Sequence, residues 1–372
     1  MRRWEPVFAA FAAAMALAGC ATTPRVPPVS PQSPPPPPSP PSESASRSAE
    51  TPASLAALPG WEAEDHLAAL SAFQAGCAAS RDIAMAIVCG EARAMGPVDE
   101  ARARMFLEAN LRPEPVAGSG LLTAYFTPIY EARQQRHGEF TAPVRPRPAD
   151  LPAADVGGIV GAPYPDRAAI EARFADDAVA WMRPEDLFFL QIQGSGVLVF
   201  EDGARAKAVF DGSNGAPFRG IAAPMRQMGL LADKDTSGEA IRAWLADHRG
   251  AQAEAVMRLD PRYVFFRLAP DDGADPAGAA GVRLTAGRAV AIDPAWHDLG
   301  EVLWIDAASP ALSGAFPTYR RLAMALDTGG AIKGEVRADL YMGRGPEAGL
   351  EAGRVRHVLR LYRLVPAPRD GS

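Results

Sequence analysis

Lysine is nearly missing from this chain: Lys207, Lys234 and Lys333 are the only three among 38 basic residues, the rest being arginine. No long basic stripe occurs, and 38 basic against 44 acidic residues leave a formal charge of -6, which excludes a generic nucleic-acid binder. Cysteine is as scarce, with Cys20, Cys77 and Cys89 making no CxxC. None of the five histidines (His66, His137, His248, His297, His357) forms an HxxxH pair, so no metal centre is expected. GRGPEAG at 343–349 has the wrong spacing for a dinucleotide loop, and no cofactor is expected. What the chain has in quantity is 34 Gly, 36 Pro and 48% apolar residues over 372 positions, enough for two domains and a chain that turns often.

The first apolar run, from about Val7 to Ala18, follows two arginines and is too short for a membrane-spanning helix, which needs about 20 residues. It ends in LAGC, which resembles a bacterial lipoprotein signal. Residues 1–19 are therefore expected to be a signal peptide, with Cys20 as a lipidated N-terminus. Ala21 stands where an inner-membrane retention signal would show Asp, so the resemblance implies the periplasmic side of the outer membrane of a Gram-negative bacterium. The Pro/Ser tract within 20–53 has no apolar face to bury and reads as an extended tether. In an oxidising compartment Cys77 and Cys89 form either a disulfide or two buried free thiols.

From Leu55 to about Pro113 the apolar residues recur at helical spacing. Short apolar runs bounded by Gly and Pro follow, at 120–130, 186–200, 262–268, 282–293, 301–306, 320–327 and 355–365, and predict a β-rich body. Helices are expected at 166–182 and 237–258, and a linker at 269–281.

The densest polar signal is LDTGGAIKGEVRADLYMGRGPEAGLEAG at 326–353, with Asp327, Lys333 and Asp339, preceded by Asp293 in AIDP. Together with LTAYFTPIYEAR (122–133), FFLQIQGSGVLVF (188–200) and NGAPFRGIA (214–222), these motifs resemble the membrane-bound lytic murein transglycosylase A (MltA) family, whose C-terminal module is named for three aspartates. The resemblance implies a mainly β fold with helical additions: a double-psi β-barrel domain from 54–130 plus 269–372, and a β-rich substrate-binding domain inserted at 131–268, with a groove between them. It also implies non-hydrolytic cleavage of the β-1,4 bond between N-acetylmuramic acid and N-acetylglucosamine in peptidoglycan, leaving a 1,6-anhydro ring. The expected partners are glycan strands, the outer membrane through the lipid, and proteins of wall synthesis or division.

Ordinary glycoside hydrolysis uses two carboxylates. When the substrate's own C6 hydroxyl is the nucleophile, one carboxyl suffices, donating a proton and then accepting one. The resemblance assigns that role to Asp339, which spacing alone does not separate from Asp327. Asp293 before Pro is expected mainly to shape a turn, and Asp327 to shape the site and tune Asp339. Tyr125, Thr127, Gln191, Gln193, Ser195, Lys333 and Tyr341 are the expected substrate-binding groups, the middle ones read as polar positions within apolar strands. A non-catalytic wall-binding lipoprotein and a hydrolase on the same scaffold are the competing readings. A serine hydrolase at Ser195 is disfavoured because GSG lacks the GxSxG elbow.

Overall fold

Three aspartates start the folded part. Asp65, Asp82 and Asp99 each accept a backbone N–H from the first turn of a helix, which sets α1 (His66–Gly76), α2 (Ile83–Ala94) and α3 (Glu100–Asn110). The computed structural model describes residues 52–152, 164–232, 237–309 and 316–369; Cys20, the tether and Lys234 lie outside them. Cys77, just after α1, is bonded to Cys89 of α2, with Cα atoms 5.6 Å apart, so the disulfide alternative holds.

The chain continues through β1 (Leu111–Pro115), β2 (Gly120–Thr127), β3 (Ile129–Glu131), β4 (Ala142–Val144), α4 (Arg167–Glu171), β5 (Ala180–Met182) and α5 (Pro184–Gln193). Next come β6 (Ser195–Val199), β7 (Arg205–Ser213), α6 (Ala222–Gln227), α7 (Gly238–Asp247), α8 (Ala251–Met257) and β8 (Val264–Pro270). The last segment holds β9 (Ala289–Ile292), β10 (Val302–Ala308), β11 (Thr318–Thr328), β12 (Arg337–Arg344), α9 (Gly345–Ala352) and β13 (His357–Pro366).

Strands β13-β10-β11-β9-β12-β2 pair in that order, and β2 returns to β13, so six strands close a barrel with β1 added on β13. The pairs β9·β11 and β2·β12 are parallel. Closure leaves the six strands no free edge. Alternation then sorts the side chains: Leu122, Val290, Ile292, Ala323, Ala325, Ala338 and Leu340 fill the interior. Ala289, Leu322, Met324 and Leu326 face outward and are covered by Trp61, Leu70, Phe73 and Leu107 of the helical layer. Gly120 opens β2 because any larger residue would drive its Cβ to 1.6 Å from Val336 O.

One buried ion pair ties the helical layer to the barrel. Glu64 accepts two bonds from the Arg288 guanidinium, both at 2.9 Å, and the N–H of Leu322 at 2.7 Å.

A second sheet, β3-β6-β7-β8, with the β4·β5 ribbon and the helices α4 to α8, makes the inserted part. β3 already pairs with β6, so the chain leaves the barrel at Pro128. Three expectations change here. The run 186–200 is not one strand: its first half is α5, with Pro184 in the first turn, acidic Glu185 and Asp186 beside it, and Gly194 in the left-handed conformation as its stop. Gln191 and Gln193 are therefore helical residues. The expected helix at 166–182 lasts only from Arg167 to Glu171, and its end is the strand β5. The stretch 269–281 is not a loose linker, since Asp271 is held by Arg344 at 2.8 Å and by Arg205 at 3.0 Å.

Candidate active site

A cleft with about 280 Å³ of free space runs between the outer face of β2, β9, β11 and β12 and the inserted part. The interior-exterior alternation of the strands decides what lines it. Thr123 and Tyr125 on β2, Ala291 on β9, and Arg337 and Asp339 on β12 all point outward where the helical layer ends. Asp339 stands level with Thr123 on one neighbouring strand and with Ala291 on the other. Asp327 reaches this face through an irregularity in β11. The register jumps between Ala325 and Asp327, so Leu326 is an extra residue and Asp327 falls level with Ala291. The two aspartates thus flank a small alanine from strands on either side of it.

Asp339 is half-buried and its acceptor geometry is arranged by a relay. Arg337 Nη2 donates to Thr123 Oγ1 at 2.8 Å, which leaves the Thr123 hydroxyl to donate to Asp339 Oδ1. Burial pushes the Asp339 carboxyl above its ordinary range and the charge of Asp327 adds to this, while the Thr123 bond and Arg337 pull the other way. Asp327 is raised as well, by burial, against bonds from the Tyr125 hydroxyl at 2.7 Å and the N–H groups of Thr328 and Ala279 at 2.9 and 3.0 Å. Burial and Asp327 hold the Tyr125 hydroxyl far above an ordinary phenol, so it stays a donor. Both Asp327 oxygens are consequently engaged by the protein. Asp339 keeps one oxygen for a ligand.

The opposite wall carries Gln193, Phe210, Phe218 and Arg262. Gln193 Oε1 accepts the N–H of Phe126 at 3.1 Å, which fixes the end of α5 against β2. Gln191 also reaches the cleft, but it is buried and bound to Arg167 at 2.6 Å and to Val264 O at 3.2 Å, so it holds the wall together.

The remaining expected residues are elsewhere. Asp293 is buried in a turn, accepting Gly334 N–H at 2.8 Å and Lys333 Nζ at 3.3 Å. Burial alone would raise its carboxyl, but these bonds and that of Ala295 hold it below the usual range. Lys333 is largely exposed, touches Asp293 beside the loop before β12, and is not among the residues that line the cleft. Tyr341 is fully buried behind Tyr125, donating to Asp275 at 2.8 Å and sharing a 2.9 Å bond with Thr127. Thr127 and Ser195 line a separate shallow crevice with Lys207 and Arg344. Among the described residues no cluster of acids, histidines or cysteines could hold a metal ion.

Residues 121–267 match the MltA specific insert domain and residues 288–365 the 3D domain. Membrane-bound lytic murein transglycosylase A of Escherichia coli strain K12 is 33% identical over 261 residues, 68% of each chain. The chain belongs to the membrane-bound lytic murein transglycosylase A family. Within that family, the crystal structure of the membrane-bound lytic murein transglycosylase from Agrobacterium tumefaciens superposes with a TM-score of 0.73 at 31% identity, covering 85% of this chain and 97% of that one. E. coli MltA with bound chitohexaose gives 0.63 at 29% identity, covering 82% and 90%. The barrel with an inserted β-rich part is thus the architecture of the MltA relatives.

The site yields a signed pH test. A general acid at Asp339 would have to be protonated, and activity would then fall as pH rises through its raised pKa. Asp327→Asn removes a charge that raises that pKa and should move this alkaline limb to lower pH, whereas Thr123→Val removes a bond that lowers it and should move the limb to higher pH. Rate profiles of the two variants beside the native enzyme check both signs; shifts in the same direction would contradict the assignment.

Proposed function

We propose that this chain is a peptidoglycan lytic transglycosylase in which Asp339 alone serves as general acid and then as general base. The substrate class is taken from the name of the E. coli relative and from the chitohexaose bound in its structure. The observation that carries the mechanism is that Asp339, on the barrel face of the cleft, keeps one oxygen free of hydrogen bonds among the described residues. A second carboxylate is what a hydrolase needs for its water or its nucleophile. Asp327 has both oxygens committed, Asp293 is outside the cleft, and Asp260, on the opposite wall, is buried, bound by the N–H groups of Arg219 and Arg262 and 3.9 Å from the Arg167 guanidinium.

In this reading the Asp339 carboxylic acid gives its proton to the glycosidic oxygen, and the bond from that oxygen to C1 of N-acetylmuramic acid breaks. The C6 hydroxyl of the same sugar then attacks C1 while the Asp339 carboxylate takes its proton. The acid is regenerated, no water enters, and the product ends in a 1,6-anhydro ring. Holding the C6 hydroxyl near C1 replaces the bimolecular attack of water.

Mass spectrometry of products made from purified peptidoglycan in ¹⁸O-water tests this directly. Anhydro ends without ¹⁸O are the expected outcome; reducing ends carrying ¹⁸O would show a hydrolase on the same scaffold.

Lipidation at Cys20 and an outer-membrane location belong to the same proposal. The E. coli relative is named membrane-bound, and no described helix here is long and apolar enough to cross a membrane. The division into a barrel domain and an insert near residues 131 and 268 is supported by the two separate sheets.

A further inference from the structure

Of the charged cleft residues that the reaction above does not use, Arg167 and Asp260 are buried in the wall, and Arg262 is left facing the space. It precedes β8 on the inserted wall, faces the Asp327-Gly330 side of the barrel, and is half-buried. Among the described residues, the only acceptor its guanidinium reaches is Ala216 O, at 3.5 Å. The nearest acid, Asp260, is occupied by the backbone N–H groups of Arg219 and Arg262 at 3.0 and 3.2 Å, and lies 3.9 Å from Arg167. Burial lowers the pKa of Arg262, and the charge of Asp260 offsets this only in part. Arginine stays charged under such conditions.

The barrel leaves this guanidinium uncovered by having no side chain opposite it. A Cβ on Gly330 would rest in contact with the guanidinium, 3.4 Å from Arg262 Cζ and 3.6 Å from Nη1, and glycine leaves that face bare. A planar fork of donors, partly desolvated and bound to no side-chain acceptor among the described residues, suits a carboxylate.

Resting on the peptidoglycan reading, we propose that Arg262 binds a carboxylate of the muramoyl side arm and so separates muramic-acid strands from plain N-acetylglucosamine polymers. Two sources carry that chemistry: the lactyl carboxylate of strands stripped of peptide, and the carboxylates of the stem peptide.

Binding is measured in an Asp339→Asn background, where cleavage is expected to be slow on the timescale of the measurement, with and without Arg262→Gln. The probes are peptide-bearing strands, amidase-stripped strands, stripped strands whose lactyl carboxylate has been converted to an amide, and chitohexaose. Arg262→Gln is expected to weaken binding about tenfold where the recognised carboxylate is present and to leave chitohexaose unchanged. Loss on stripped strands that vanishes after amidation assigns the lactyl group; loss confined to peptide-bearing strands assigns the stem. Arg262→Lys should recover part of the loss. An equal loss on every probe, chitohexaose included, or no loss on any, overturns the proposal. Because no cleavage is read, this outcome is independent of whether the native enzyme makes anhydro ends.

Discussion

Asp339→Asn is expected to lower the rate of glycan cleavage by about 10³-fold while leaving chitohexaose binding intact. Asparagine keeps the shape and can still accept the Thr123 hydroxyl, but it has no proton to give the glycosidic oxygen and no basic oxygen to take one back. Undiminished release of anhydro-muropeptides would remove Asp339 from the mechanism. The same variant has a stability consequence of opposite sign. A carboxyl whose pKa is raised by burial favours the folded state below the unfolded carboxyl pKa, about 3.9, and this contribution is lost as pH rises through the folded value. Asparagine does not ionise, so its melting temperature should gain on the native enzyme as pH rises. Thermal melts at two pH values, one on each side of the activity limb, check this.

The second large effect is structural. Glu64 and Arg288 have side chains only 1% and 5% exposed, and Glu64 also satisfies the N–H of Leu322 in β11. Glu64→Ala would leave a buried guanidinium without its carboxylate and a barrel N–H without its acceptor. A loss of about 3–5 kcal/mol is expected by urea unfolding. The double variant Glu64→Met/Arg288→Met should recover much of it, because an apolar pair removes the uncompensated charge. A single-variant loss below about 1 kcal/mol would mean that the helical layer is held by its apolar contacts alone.

Local pattern carried much of this structure. The helical lead-in follows from apolar spacing with an aspartate ahead of each helix, and the barrel strands follow from short apolar runs cut by Gly and Pro. LFFLQIQ is as apolar as a strand, and the signals that make it part of α5 lie outside it, in Pro184 and Gly194. The second half of 166–182 failed for a different reason. Pairing of β5 with β4 overrode its helical spacing.

At the site, Asp339 and Asp327 were legible as residues but their surroundings were not. Arg337 could have been found, since two positions before Asp339 on a strand is the same face. Thr123 is 216 residues from Asp339, and only the parallel register of β2 with β12 brings them together. The irregularity that turns Asp327 outward has no mark in the sequence. The rarity of Lys333 says nothing of its position, which is beside the Asp293 turn.

The parallel β2·β12 pair also has a temporal side. Synthesis delivers Thr123 and Tyr125 early, yet their partners Asp339 and Asp327 arrive only after the whole insert has been made. Contacts of such long range form late and slowly in folding. A partly made chain that stops before β12 has neither Asp339 nor Arg337, so it lacks the relay to Thr123 and one wall of the cleft. The wall-cutting chemistry comes into being only with the completed polypeptide.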